Sequence, residues 1–289
     1  MNYKIYTLLF ALLVTPQLTA SPINKQEVQN VDFVADYYPA EKANQYGIIV
    51  LNGSAGGKSD FMAEKFSQLG YPVLSLAYFD WDNKEKLPNS LEMIPLEYVN
   101  KAKDWLKQHP DTKNDGVVVY GLSKGAELAL LAASFDSEYK GVIATAPSSV
   151  VWSGIPQNPG NDYTKVSSSW SRNGLPVPFV PYVNRTEFRK EGKGNMLTWH
   201  EASLQRASNY QSAMIDVTKI KAPILLFSGG KDTAWPSNEM AASICAVANV
   251  ANSKPCTHIN YPDAPHLLGE KGPDARVKMK AYLDDLNAL

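Results

Sequence analysis

Runs of apolar residues alternate along the chain with segments that place apolar residues three and four positions apart. "YGIIVLNGSAGG", "YPVLSLAYF", "GVVVYG", "KGVIATAP" and "APILLFSGG" are typical of buried strands. "PLEYVNKAKDWLKQHP" and "KGAELALLAASF" are typical of helices that pack against a sheet. This alternation predicts an α/β fold with a mostly parallel sheet covered by helices on both faces. We expect one domain over residues 21–289, with ligands bound where the strands end.

The first twenty residues differ from the rest of the chain. "MNYKIYTLLFALLVTPQLTAS" has a lysine, an apolar run, and then a proline with small residues, which is the order of a secretory signal peptide. The apolar run is shorter than the roughly 20 residues that span a membrane. We expect residues 1–20 to be a signal peptide, with cleavage after Ala20 or Ser21. The mature protein would then be periplasmic or secreted, without stable membrane insertion. A buried N-terminal helix is the alternative.

The net charge and the cysteine content of the chain bear on which partners it can bind and on the cellular compartment in which it folds. The formal net charge is -1 at pH 7, so nothing favours binding to nucleic acid. The chain has two cysteines, Cys245 and Cys256. In an oxidising compartment this isolated pair predicts one disulfide that closes a short loop. In the loop-entropy description such a bridge stabilises by about 2–3 kcal/mol. Two buried free thiols are the alternative.

Between residues 149 and 209 the regular alternation of strands and helices is interrupted. This segment contains Pro156, Pro159, Pro176, Pro178, Pro181, Trp152, Trp170 and Trp199. So long an irregular segment inside a compact domain usually has a function. We therefore interpret residues 149–209 as a lid inserted over the active site. A surface loop packed on the core is the alternative.

"VVVYGLSKGAEL" carries the most specific chemical signal in the sequence. Gly121, Ser123 and Gly125 match G-x-S-x-G, between a predicted strand and a predicted helix, as in the nucleophile elbow of α/β-hydrolases. Small residues allow the tight turn that projects the serine hydroxyl into a site. The start of the following helix favours negative charge there. We therefore predict that Ser123 is a nucleophile.

A serine nucleophile needs a base to take its proton and an acid to orient that base. In α/β-hydrolases the acid and then the histidine follow the serine along the chain. Asp232 follows the predicted strand in "ILLFSGGKDTAW", and His266 follows the last predicted strand in "INYPDAPHLLGE". We predict a triad of Ser123, Asp232 and His266.

Other histidines and one other acid are weaker candidates for the triad. His109 ends a helix, His258 lies inside a strand, and His200 precedes the acid in the chain. Asp263 is the alternative acid, but it lies three residues before His266 and is expected to shape the turn.

The oxyanion of the tetrahedral intermediate needs two backbone N–H donors. One is expected from Lys124, directly after the nucleophile. The other is expected from the loop "NGSAGG", at Ser54 or at its neighbours Gly53 and Ala55. This loop could instead cradle a phosphate, but it lacks the Lys-Ser/Thr ending of a P-loop. The triad requires no cofactor, and no histidine cluster suggests a metal.

The chain resembles the catalytic domain of the acyl-CoA thioesterase and bile acid-CoA:amino acid N-acyltransferase family, within the α/β-hydrolases. "NGSAGG", "LSLAYFDWDN", "YGLSKGAELALLAASF", "GGKDTAWPS" and "YPDAPHLL" carry the resemblance, over roughly residues 46–150 and 220–286. The resemblance implies the same triad. The amino-acid-conjugating branch has a cysteine nucleophile, so Ser123 suggests hydrolysis rather than transfer to an amine.

These observations together predict an exported serine hydrolase that cleaves small-molecule acyl esters or thioesters through an acyl-enzyme. Export conflicts with CoA thioesters, which are intracellular. If CoA binds, "RTEFRKEGKG" offers Arg185, Arg189, Lys190 and Lys193 for its phosphates, although a solvated lid surface also explains this run. The alternatives are a carboxylesterase or dienelactone-hydrolase-like enzyme, a peptidase, or a non-catalytic binding protein on the same scaffold.

Overall fold

The computed structural model describes residues 24–40, 45–84, 86–158, 163–190, 194–251 and 254–288. The segment predicted to be a signal peptide, residues 1–20, lies outside these ranges. Among the described residues, no helix combines the length and the apolar character that crossing a bilayer requires.

Strands and helices alternate over most of the described chain, as the sequence predicts. The strands are β1 Gln26–Glu27, β2 Val34–Tyr38, β3 Gln45–Leu51, β4 Val73–Ala77, β5 Ile94–Pro95, β6 Thr112–Leu122, β7 Tyr139–Thr145, β8 Trp170–Arg172, β9 Leu175–Pro176, β10 Ile224–Gly229 and β11 Cys256–Tyr261. The helices are α1 Asp60–Gln68, α2 Leu96–Lys107, α3 Lys124–Phe135, α4 Arg185–Lys190, α5 Met196–Arg206, α6 Tyr210–Ala213, α7 Ser237–Ala251 and α8 Gly272–Asn287.

One large sheet organises the described residues. Its strand order is β1-β2-β4-β3-β6-β7-β10-β11. Six neighbouring strands are parallel to one another, namely β4, β3, β6, β7, β10 and β11. Strand β2 is antiparallel to both β4 and β1. The mostly parallel α/β sheet predicted from the sequence is therefore confirmed. Because parallel strands end at the same edge, the loops after β3, β6, β10 and β11 meet there.

Helices cover both faces of this sheet, which explains why its central strands are apolar throughout. Successive side chains of a strand point to opposite faces, so Ile49 and Val119 pack on one side and Ile48 and Val118 on the other. The first face packs against α2, α3 and α7, and the second packs against α1 and α8.

The predicted lid segment, residues 149–209, is more regular than its sequence indicates. It contains β8, β9, α4 and α5, and β8 pairs with β5 outside the main sheet. The 11-residue helix α5 begins after Asn195, whose side chain accepts a hydrogen bond from the N–H of Thr198. Its buried positions include His200 and Ser203, which are not apolar, so hydrophobic periodicity does not reveal it. Aromatic residues of the segment form a core of their own around Trp152, Tyr182 and Trp199.

A buried carboxylate ties this segment to the first turn of α3. Glu127 is fully buried, and its Oε2 accepts a hydrogen bond from Lys124 Nζ at 2.5 Å. Its Oε1 accepts from the indole N–H of Trp170 at 2.7 Å and from the backbone N–H of Trp152 at 3.0 Å. Burial raises the pKa of Glu127 and lowers that of Lys124, although their ion pair opposes both shifts. A desolvated ion pair of this kind depends on both partners, because either charge left alone in the interior is very unfavourable.

A disulfide links the last helix–strand pair before the C-terminal helix. Cys245 on α7 is bonded to Cys256, the first residue of β11, with a sequence separation of 11. A loop of this length gives a stabilisation of about 3 kcal/mol in the chain-entropy description. The bond holds α7 against the edge strand that leads to His266.

The Glu127 contacts predict a large loss of stability on substitution. Glu127→Ala leaves the Lys124 ammonium buried without its carboxylate, so we expect the free energy of unfolding to fall by about 3–5 kcal/mol. Asp32→Ala is the matched control, because Asp32 is 51% exposed and pairs with the exposed Lys101 at 2.6 Å. The control should change stability by about 1 kcal/mol or less. Urea unfolding measures both, and equal losses in the two variants would contradict a special role for Glu127.

Candidate active site

Ser123 lies at a sharp turn between β6 and α3. Its backbone has φ 56° and ψ −117°, which is strained for a residue with a side chain. The turn depends on its flanking glycines. A Cβ on Gly121 would lie 2.0 Å from the carbonyl oxygen of Gly125, and one on Gly125 would lie 2.3 Å from that of Leu51. The N–H of Ser123 donates to the carbonyl of Thr145 at 2.9 Å, which fixes the turn to β7.

The residues predicted for the triad lie in contact with one another. His266 Nε2 is 2.8 Å from Ser123 Oγ, and His266 Nδ1 is 2.7 Å from Asp232 Oδ2. A carboxylate only accepts hydrogen bonds, so Nδ1 carries the hydrogen in this pair. Nε2 is then free to accept the hydrogen of the Ser123 hydroxyl. The arrangement follows from topology, because the loops after β6, β10 and β11 meet at one sheet edge.

Asp232 is held by more than the histidine. Its Oδ1 accepts from the N–H of Ala234 at 2.8 Å, and its Oδ2 accepts from the hydroxyl of Ser237 at 2.5 Å. Burial alone would raise the pKa of Asp232, but hydrogen bonds from His266, Ser237 and Ala234 outweigh it and lower the pKa. The group is therefore a carboxylate at neutral pH. Ser237 was not singled out from the sequence, and its only signal is its position five residues after Asp232.

The alternative histidines and the alternative acid have other surroundings. Asp263 is 80% exposed at its side chain and pairs with Lys231. His258 Nε2 lies 2.7 Å from Ser228 Oγ, and His109 packs against the ring of Tyr37. Within the described parts of the chain, none of these three forms a hydrogen bond or an ion pair with Ser123 or Asp232.

The loop after β3 lies beside Ser123, where the second oxyanion donor is expected. A Cβ on Gly53 would lie 3.2 Å from Ser123 Cβ, so this glycine permits the close approach. The N–H of Gly53 donates to Asn52 Oδ1 at 2.9 Å and is therefore already used. Ser54, Ala55 and Lys124 border the same cavity as Ser123, and the carbonyl of Ser54 accepts from the indole of Trp81. This leaves Ser54 or Ala55 as the loop's candidate donor. Asn52, which shapes the loop, was missed by sequence reasoning.

A cavity of about 430 Å³ opens at Ser123. Its wall is mostly apolar and includes the side chains of two tyrosines and two tryptophans. The rings of Tyr182 and Trp199 are stacked 4.3 Å apart, and Trp235 lies 5.3 Å edge-on from the ring of His266. The wall also includes Ile155, Tyr163, Arg185, Met196, His200 and Leu267. Among the described residues that line it, none is an aspartate or a glutamate. The cavity can accommodate an apolar or planar group next to the serine.

His200 is a buried part of this wall and is not hydrogen-bonded to Ser123 or Asp232 in the described structure. Its Nδ1 is 2.8 Å from the carbonyl oxygen of Met196, and its ring is 5.7 Å from that of Trp235. Burial lowers its pKa to about 4, with smaller contributions from Lys124 and His266. His200 is therefore neutral at physiological pH.

The low pKa of His200 predicts acid-sensitive stability. In the unfolded chain the imidazole titrates near 6.5, so between that pH and about pH 4 the unfolded state binds more protons. Acid should then favour unfolding through this residue by about 3 kcal/mol. In His200→Asn, an amide can still donate to the Met196 carbonyl but does not titrate. Urea unfolding at pH 6.5 and pH 4 should show a smaller loss for the variant, and an identical loss would contradict the assignment.

Comparisons with known proteins agree with this architecture. The human protein "Acyl-coenzyme A thioesterase 1" is 28% identical to this chain over 253 residues, covering 88% of this chain and 55% of the human protein. The chain thus spans about half the length of that relative. A Pyrobaculum calidifontis esterase superposes with a TM-score of 0.60 at 14% identity, covering 93% of this chain and 86% of the esterase.

The dienelactone hydrolase from Anabaena variabilis gives a TM-score of 0.52 at 18% identity, covering 91% of this chain and 96% of that one. At these identities the two structures establish the α/β-hydrolase fold alone. The family described as "BAAT / Acyl-CoA thioester hydrolase C terminal" matches residues 94–273, which is more than half of the chain and includes Ser123, Asp232 and His266. The chain therefore belongs to this family, as the resemblance in its sequence predicted.

Proposed function

We propose that this protein is a serine hydrolase that cleaves acyl thioesters or esters through Ser123, His266 and Asp232. The observation that carries the proposal is the continuous hydrogen-bonded series from Ser123 Oγ through His266 to Asp232, at the wall of an aromatic cavity. Membership of the thioester hydrolase family supports the same reaction class.

The first half of the reaction forms an acyl-enzyme. His266 Nε2 takes the proton of Ser123 as Oγ attacks the substrate carbonyl carbon, and the carbonyl electrons move to oxygen. Asp232 stabilises the imidazolium through Nδ1. The N–H groups of Lys124 and Ser54 are proposed to bind the oxyanion. Collapse of the intermediate expels the thiolate or alkoxide, which receives the proton from His266.

Water completes the reaction by the same route. His266 removes a proton from water, the resulting hydroxide attacks the acyl carbon, and collapse releases the carboxylic acid while Ser123 Oγ regains its proton. The nucleophile is a serine in this chain, which supports hydrolysis rather than transfer to an amine. In this proposal the side chains of Ser123, His266 and Asp232 suffice for both half-reactions, and neither step calls for a cofactor.

We further propose that residues 149–209 act as the lid predicted from the sequence. The described part of this segment supplies Ile155, Tyr163, Tyr182, Trp199 and His200 to the cavity wall. Aromatic side chains next to the nucleophile suit the acyl portion of a substrate. The hydrogen bonds that Trp152 and Trp170 donate to Glu127 would fix the position of this wall relative to the turn at Ser123.

Substitution of the triad tests the proposed reaction. Ser123→Ala should reduce kcat for p-nitrophenyl butyrate and butyryl-CoA by at least about 10³-fold, because no other group supplies the attacking oxygen. Asp232→Asn should reduce kcat by about 10⁴-fold, because the amide favours the wrong histidine tautomer. Asp263→Asn is the matched control and should stay within about twofold of wild type, since its side chain is exposed and pairs with Lys231. Near-normal turnover in Ser123→Ala would refute the proposal.

We also propose that the protein is exported to the periplasm or secreted. The charged, apolar and small-residue order of residues 1–20 supports export, as does the Cys245–Cys256 disulfide, because such bonds persist in oxidising compartments.

Mass spectrometry of the protein expressed in full length in a bacterium should find a mature N-terminus after Ala20 or Ser21 in the periplasmic or secreted fraction. Non-reducing peptide mapping of the same material should find the two cysteines linked. A protein that keeps Met1 and has two alkylatable thiols in the cytoplasm would contradict export.

A further inference from the structure

Arg185, the first residue of α4, reaches the wall of the cavity that contains Ser123. The central carbon of its guanidinium lies 5.2 Å from the ring centre of Trp199, and Nη2 lies 3.4 Å from the sulfur of Met196. A thioether is a weak acceptor and an aromatic ring offers only its π electrons. These contacts orient the guanidinium, but neither of them gives its N–H groups a strong acceptor such as a carboxylate or phosphate oxygen.

None of the described residues neutralises the charge of Arg185. Within the described chain, no carboxylate lies in ion-pair contact with Arg185, and none of the described residues that line the cavity is acidic. Lys124 also borders the cavity, but its ammonium is bound to Glu127. As far as the described residues go, the wall therefore presents an uncompensated positive charge where a substrate would lie.

A second group in the same wall also lacks an acceptor. The side chain of Trp235 is buried, and its indole N–H has no hydrogen-bond partner within the described structure. Trp235 lines the cavity and packs edge-on against His266. The nitrogen itself is enclosed by protein atoms and does not open to the cavity, so Arg185 is the donor in the described wall that points to a substrate with oxygen acceptors.

We propose that Arg185 recognises an anionic oxygen group of the substrate, a carboxylate or a phosphate, and makes the enzyme selective for negatively charged esters or thioesters. The inference rests on the proposed hydrolase function and names a substrate class for it. The planar guanidinium can donate two parallel hydrogen bonds to either group. The anion is on the acyl chain if it is a carboxylate, or on the leaving group if it is a phosphate.

Arg185 acts on binding in this proposal, not on the reacting atoms. Its contribution should then be similar in the bound substrate and in the transition state, so that its loss raises KM for charged substrates more than it lowers kcat. Arg189, on the same short helix, was also a candidate for CoA phosphates in the sequence, but it is exposed and does not line the cavity, so it provides a matched control that removes the same charge from outside the site.

The experiment compares three substrates in wild type, Arg185→Gln and Arg189→Gln. p-Nitrophenyl butyrate is neutral, mono-p-nitrophenyl glutarate carries a carboxylate on the acyl chain, and butyryl-CoA carries phosphates on the leaving group. Arg185→Gln should lower the ratio of kcat/KM for a charged substrate to kcat/KM for the neutral ester by at least tenfold. Arg189→Gln should leave both ratios within about twofold of wild type. Arg185→Lys should restore part of the lost selectivity, because it keeps the charge without the planar fork.

The outcomes separate the two sources of the anion. A drop confined to the glutarate ester places the recognised group on the acyl chain, and a drop confined to butyryl-CoA places it on the leaving group. Unchanged ratios in Arg185→Gln, or equal drops in Arg185→Gln and Arg189→Gln, overturn the proposal. Failure of the hydrolase function itself has a different signature, which is turnover of the neutral ester that persists in Ser123→Ala.

Discussion

The start of α3 packs directly on the end of β3, and the candidate site depends on this contact. A side chain on Gly125 would collide with the carbonyl oxygens of Leu51 and Asn52, at 2.3 and 2.4 Å from its Cβ. Only a glycine lets the helix begin so close to the sheet. That proximity holds Ser123 in its strained conformation and places it beside the loop of Gly53 and Ser54. Ser123, the loop of Gly53 and Ser54 and the cavity between them thus share one steric requirement.

The same turn of α3 also connects the sheet to the aromatic segment above it. Glu127 receives hydrogen bonds from Lys124, three residues before it on the same helix, and from Trp152 and Trp170 in the segment. All of these groups are buried, so the Lys124–Glu127 ion pair is favourable only when the two tryptophan N–H groups also donate to Glu127. The shape of the cavity wall and the geometry of the turn at Ser123 are therefore linked through one carboxylate. Through this link the cavity wall and the turn at Ser123 keep a constant relation.

Much of the fold and the core of the candidate site could be predicted from local patterns. Asp232 and His266 were identified because each follows a strand-like run, and parallel strands bring such positions to one edge. The secondary structure of residues 149–209 was harder to predict, because α5 buries His200 and Ser203 and so lacks an apolar stripe. Ser237 and Asn52 were also missed, since a hydroxyl or amide that supports another residue has no distinctive spacing. The groups that these side chains contact can be identified only from the folded arrangement of the loops.

By itself, the sequence determined the alternation of strands and helices, the glycine-flanked turn at Ser123, and the chain order of serine, acid and histidine. These are properties of short segments and of periodicity, and sterics and hydrophobic burial translate them directly into structure. Only the tertiary structure decided what lines the cavity. It pairs Glu127 with Trp170, 43 positions further along the chain. It also separates Arg185, which lies in the wall, from the exposed Arg189 of the same basic run. Such contacts join distant segments, and no local pattern encodes which side chains they bring together.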